Sequence, residues 1–111
     1  MECECKRTHL NFEGTKICDI KDADADFDGA WFSKCNNCQS IWITILYEAP
    51  HYSDSTHWYK ALLAENFDYE KFLGSRTEVN SVFETTRIAF FKGITRGSKP
   101  EKFSGVPKRV V

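Results

Sequence analysis

The strongest pattern in the chain runs from Ile41 to Glu48, where β-branched and aromatic residues follow one another almost without a break. That composition predicts a β-strand. Residues 31–34, Trp-Phe-Ser-Lys, also read as extended, and between the two lies Cys35-Asn36-Asn37-Cys38. Asparagine tolerates turn conformations, so strand, turn, strand is predicted over 31–48. Further along, Ser75 and Glu78 stand at capping-box spacing, and Val79, Val82 and Phe83 follow at helical spacing. An amphipathic helix over about 76–86 is the result.

Residues 87–92 predict another strand, closed by Gly93, and residues 8–12 a short one. Residues 68–73 suit a single helical turn stopped at Gly74. Residues 56–65 read as a short helix, with a strand as the alternative. From Gly97 onward glycine and proline recur, so 97–111 is expected to be a basic loop or tail beyond a single domain at 1–96. These elements predict an α+β fold: a small antiparallel sheet, a zinc-ribbon-like hairpin, and one or two short helices.

The chain has 111 residues, 41% of them hydrophobic and 14% aromatic. That is enough for one real core and argues against disorder. No run approaches the ~18 apolar residues of a membrane span, and the acidic start, Met1-Glu2-Cys3-Glu4-Cys5, is unlike a secretory signal. A cytoplasmic protein with neither a membrane nor a small-molecule substrate is expected. The net charge of −1 conceals an asymmetry: residues 1–84 carry fifteen acids and eight bases, residues 85–111 one acid and seven bases.

Four of the five cysteines fall in two close pairs, Cys3/Cys5 and Cys35/Cys38. Outside a secreted disulfide scaffold, such pairs read as metal ligands. A structural zinc held by Cys3, Cys5, Cys35 and Cys38 is predicted. On an extended segment Cys3 and Cys5 share a face, and Cys18 is the alternative to either of them.

Asp19, Asp22, Asp24, Asp26 and Asp28 make residues 19–29 an acidic loop. Clustered carboxylates of this kind can imitate a phosphate backbone and occupy a basic cleft on a partner. Asp24, Asp26, Asp28 and Gly29 also match the first half of a calcium loop, but its bidentate acid position is Cys35. Cys18 could pair as a nucleophile with His51 or His57, and no hydrolase elbow, phosphate loop or metalloprotease motif accompanies them. Trp31, Trp42 and Trp58 are core candidates. The basic tail would serve nucleic-acid binding, against the repulsion of an acidic body.

The stretch Cys35-Asn36-Asn37-Cys38-Gln39-Ser40-Ile41-Trp42 resembles small bacterial proteins of the toxin-immunity type that carry a Cys-x-x-Cys-Gly-x-x-Trp ribbon. Gln39 stands where those proteins usually have glycine. The run from Tyr47 to Ser53, the Trp58-Tyr59 pair and Phe90-Phe91-Lys92-Gly93 are similar to the same group. The resemblance implies a non-catalytic inhibitor that blocks a bacterial toxin enzyme, a nuclease being one such target. The alternative expectation is a nucleic-acid-binding zinc ribbon that uses the basic tail.

Overall fold

In the computed structural model, residues 3–8, 12–20, 27–48, 56–93 and 99–108 are described. Six strands form one antiparallel sheet in chain order: β1 (Gly14–Asp19), β2 (Gly29–Cys35), β3 (Ile41–Glu48), β4 (Thr56–Leu62), β5 (Ala89–Lys92) and β6 (Glu101–Lys102). One helix, α1 (Arg76–Thr85), lies between β4 and β5. The fold is therefore α+β. No helix among the described residues is long and apolar enough to cross a membrane.

Strand parity divides the sheet into two faces. Ile43, Ile45 and Tyr47 of β3 lie opposite Phe32 and Ala30 on β2 and opposite Ala61, Tyr59 and His57 on β4. These side chains, with Ala89, Val79 and Phe83, make the larger core. Helix α1 caps this face through Val79 and Phe83, both buried. Its capping box forms as expected: Ser75 Oγ accepts from the Glu78 amide at 3.2 Å, and Glu78 Oε1 accepts from the Ser75 amide at 3.1 Å. Hydrogen bonds from the Ser75 amide foremost, then from the Leu73 amide and the Ser75 hydroxyl, hold the Glu78 carboxyl below its usual range. The turn at 69–71 also appears, and it brings Phe67, Tyr69 and Phe72 around Phe32 with ring centroids 5.5–6.1 Å apart.

The opposite face carries a smaller cluster of Trp42, Leu62, Phe90, Cys35 and Cys5. Trp42 is fully buried, as predicted for a core tryptophan, whereas Trp31 and Trp58 are only half-buried.

Three expectations change. Residues 56–62 are strand, not helix. His57, Tyr59 and Ala61 alternate with Thr56, Trp58 and Lys60 between buried and half-buried positions, and β4 bonds to β3 on one side and β5 on the other. Pairing on both edges outweighs the modest helix propensity of Lys-Ala-Leu-Leu-Ala. The first strand is β1 rather than 8–12, of which residues 9–11 lie outside the described set. All six β1 residues are exposed at the sheet edge, so burial imposes no alternation on their sequence.

Residues 101–108 of the segment expected as a tail pack against the sheet. Glu101–Lys102 pairs with β5, Phe103 packs on Tyr59 with centroids 4.8 Å apart, and Pro107 is buried. The Lys108 carbonyl accepts from the Tyr59 hydroxyl at 2.9 Å. Aromatic packing and that buried acceptor hold a sequence that looks like loop.

Lys60 lies on the smaller-core face, its Nζ 4.4 Å from the Phe12 ring centroid and 4.8 Å from that of Trp58. Burial lowers its amine from 10.5 to about 8. The unfolded chain thus binds a proton between pH 8 and 10.5 that the folded chain does not, and stability rises with pH across that window. Below pH 8 the full penalty remains, offset in part by the two cation–π contacts. Lys60→Met is expected to add about 1–2 kcal/mol at neutral pH and to flatten the alkaline rise, as measured by urea unfolding at several pH values.

Candidate metal centre

The β2–β3 hairpin ends in the turn that carries two of the four clustered thiols. Cys35 closes β2, its amide bonded to the Ser40 carbonyl at 2.9 Å, and the Gln39 amide returns to the Cys35 carbonyl at 2.9 Å. Cys38 sits between them in the turn. Gln39 takes φ 67°, the left-handed region that favours glycine. Its side chain compensates in part, with Nε2 donating to the Asn36 carbonyl at 3.2 Å.

The other two thiols come from the N-terminal segment. Residues 4–6 form a 3-10 turn in which the Lys6 amide donates to the Cys3 carbonyl at 3.0 Å. The one-residue spacing of Cys3 and Cys5 is therefore met by a tight turn rather than by an extended segment. The chain then reaches β1 through Phe12, whose ring lies 6.2 Å from that of Trp42. Gly14 lets the chain pass close to this ring: a Cβ there would stand 2.5 Å from it and force it to shift.

The sulfurs of Cys3, Cys5, Cys35 and Cys38 all lie within 4.8 Å of one another. Cys3 and Cys35 are 3.9 Å apart, Cys5 and Cys38 3.6 Å. A tetrahedral ion bound by four thiolates at about 2.3 Å sets its sulfurs about 3.8 Å apart. The four side chains thus fit one metal ion with little rearrangement. Cys5 and Cys35 are buried, Cys3 and Cys38 half-buried.

Sequence reading overlooked Ser40. Its hydroxyl lies 3.0 Å from Cys38 Sγ and 3.8 Å from Cys5 Sγ, and it accepts from the Trp42 indole at 3.2 Å. Burial alone would raise the Cys38 thiol, but hydrogen bonds from Ser40 and from the neighbouring thiols outweigh it and bring Cys38 down to about 6. Burial, reinforced by Cys38, pushes Cys5 up instead. A hydroxyl two residues beyond a Cys-x-x-Cys pair was the available signal, and its role depends on how the turn bends back.

Other candidate residues are dispersed. Cys18 is exposed on β1 and lies outside the thiol cluster, so it does not substitute for Cys3 or Cys5. His57 is fully buried on β4, stacked on Tyr47 with centroids 5.0 Å apart. Three strand spacings, roughly 14 Å, separate β1 from β4, so Cys18 and His57 do not form a nucleophile–base pair. His51 lies outside the described residues.

Among the acidic-loop residues, Asp19 ends β1 and meets Lys16 at 3.1 Å on the surface. Asp28 accepts from the Glu48 amide at 2.7 Å and so ties the loop to β3. Asp22, Asp24 and Asp26 lie outside the described residues. Cys35, at the last position of the calcium-loop pattern, is in the thiol cluster instead.

Purified protein should carry about one metal ion per chain by elemental analysis. A metal at a thousandfold excess over its Kd adds about 4 kcal/mol, so chelation is expected to lower Tm by on the order of 15 °C. Cys35→Ser should abolish binding and Cys18→Ser leave it intact; a metal-free, equally stable protein would count against the site. Separately, Gln39→Gly should stabilise the fold by about 1 kcal/mol by relieving the left-handed backbone, as read from the midpoint of denaturant unfolding.

Comparison with known proteins found no matching family model, no matching curated protein and no matching solved structure.

Proposed function

We propose that this chain is a non-catalytic binding protein of the toxin-immunity type, stapled by one structural zinc, which occludes a toxin enzyme with a basic cleft. The observation that carries the reading is the closed donor set. Four thiols from one chain fill a tetrahedron and leave no position for a substrate or an activated water, which is the signature of a structural site. In this reading the β2–β3 hairpin is zinc-ribbon-like, zinc is the ion that the thiolate set selects, and the protein works in the reducing cytoplasm.

The acidic connection supports a protein partner. It joins β1 to β2 at the end of β2 opposite Cys35, and seven residues of strand separate the two ends by roughly 20 Å. The zinc would then hold the scaffold while the charge of the acidic connection steers a basic surface into contact. The resemblance of residues 35–93 to immunity-type proteins points the same way.

Nucleic-acid binding through the basic segment is the competing reading, and it rests on Lys99, Lys102 and Lys108 being exposed. Deleting the segment is no test of it, because Phe103 and Pro107 belong to the packing. Replacement of the three lysines by glutamate preserves the backbone and reads charge alone.

Combined Asp19→Lys, Asp22→Lys, Asp24→Lys and Asp26→Lys should weaken binding to the toxin partner recovered by pull-down from the native host at least tenfold and reduce its salt dependence, as read by titration calorimetry at several ionic strengths. Asp28 is kept, since it holds the Glu48 amide. Unchanged affinity would remove the acidic loop from the contact. Loss of single-stranded DNA binding in the triple lysine variant would instead favour the competing reading.

A further inference from the structure

The four thiols at the hairpin turn are not equivalent in access. Cys3 and Cys38 are half-buried, whereas Cys5 and Cys35 are buried. Two sulfur–sulfur contacts within reach of an S–H···S hydrogen bond each join one of the accessible thiols to one of the buried ones. Cys3 lies 3.9 Å from Cys35 and Cys38 lies 3.6 Å from Cys5. Both contacts cross from the N-terminal turn to the hairpin turn, spanning 32 and 33 positions of sequence.

We infer that this cluster is an oxidation site at which hydroperoxides convert the four thiols into two crossed disulfides, Cys3–Cys35 and Cys5–Cys38, releasing the metal while keeping the N-terminal segment tied to the hairpin. The inference deepens the metal-centre reading by giving the site a regulation. It shares that reading's four residues but needs only their geometry.

The chemistry proceeds in two steps at each pair. A peroxide oxygen is transferred to the accessible sulfur, Cys3 or Cys38; the O–O bond breaks and a sulfenic acid and one water form. The neighbouring buried thiol, Cys35 or Cys5, then attacks that sulfur, forming the S–S bond and expelling a second water. Each disulfide takes two electrons from the sulfur pair and, with two protons drawn from the thiols or, for metal-bound thiolates, from solvent, reduces one hydrogen peroxide to two waters. Two peroxides therefore consume the cluster, and the metal leaves because no thiolate remains to hold it. A dithiol reductant returns the electrons and the protons.

The Cys3–Cys35 and Cys5–Cys38 contacts favour the crossed pairing. Cys35–Cys38 is the pairing that the Cys-x-x-Cys spacing would suggest, and it would close the hairpin turn on itself and leave the N-terminal turn untied. The crossed pairs instead hold the same two segments that the metal holds. Phe12 lies between the N-terminal turn and β1, its ring against Trp42, next to the segment that the crossed pairs would tie to the hairpin.

Full-length protein purified with its metal is titrated anaerobically with hydrogen peroxide. Metal release is followed with a chromogenic chelator, the fold by near-ultraviolet circular dichroism, and disulfides by intact mass and non-reducing peptide mapping. The expected result is release of one metal per chain, loss of four hydrogens in mass, crossed peptides Cys3–Cys35 and Cys5–Cys38, and a retained near-ultraviolet spectrum.

Cys3→Ser should block only the first cross-link and still yield Cys5–Cys38, and dithiothreitol with fresh metal should restore the starting species. Mapping that returns Cys35–Cys38, oxidation that stops at sulfinic or sulfonic acids, or collapse of the spectrum on metal release would overturn the inference. Crossed disulfides in protein that never held metal would refute the metal centre and leave the oxidation site standing.

Discussion

Strand β3 is buried on both faces, and the rest of the molecule is arranged around that constraint. Ile43, Ile45 and Tyr47 face the larger core, while Trp42 and Thr44 face the smaller one, all essentially inaccessible to solvent. A slip of one residue would exchange the two sets and pit Trp42 against the helix-capped core. The pairing of β2 and β4 with β3 follows from this parity, as does the seat of α1 over Tyr59 and the placement of Phe90 beside Trp42.

The same parity positions the thiols. Cys35 ends β2 and packs with Trp42 and Leu62, so the smaller core and the thiol cluster are one packed unit. The N-terminal turn contributes little apolar surface of its own, Cys5 being its one buried residue. Its position therefore depends on sulfur chemistry more than on burial. Ser40 bridges this unit, its hydroxyl meeting Cys38 Sγ and accepting from the Trp42 indole.

Charge is distributed with comparable economy. The acidic connection lies at one end of β2 and the thiols at the other, while the basic residues near the C-terminus flank a strap that packs over Tyr59 and His57. A solvated basic tail and an integral strap have the same composition; the pairing of Glu101–Lys102 with β5, the packing of Phe103, the buried Pro107 and the Lys108 carbonyl distinguish them.

Elements whose signals are local were legible in the sequence. The Ile41–Glu48 strand, the capping box at Ser75 and Glu78, the turn near Tyr69 and the two cysteine pairs each follow from residue type at short spacing, because propensity, capping and chelation act over a few bonds. Long-range contacts decided the rest. Residues 56–62 became strand because β3 and β5 flank them, and β1 formed at an edge where burial writes no pattern. Phe103 to Lys108 was recruited by rings distant in sequence. Ligand type and number were set by the sequence alone; the convergence of Cys3 and Cys5 on Cys35 and Cys38, and the exclusion of Cys18, were left to the tertiary structure, because thirty-odd intervening residues carry no local energy that specifies where they return.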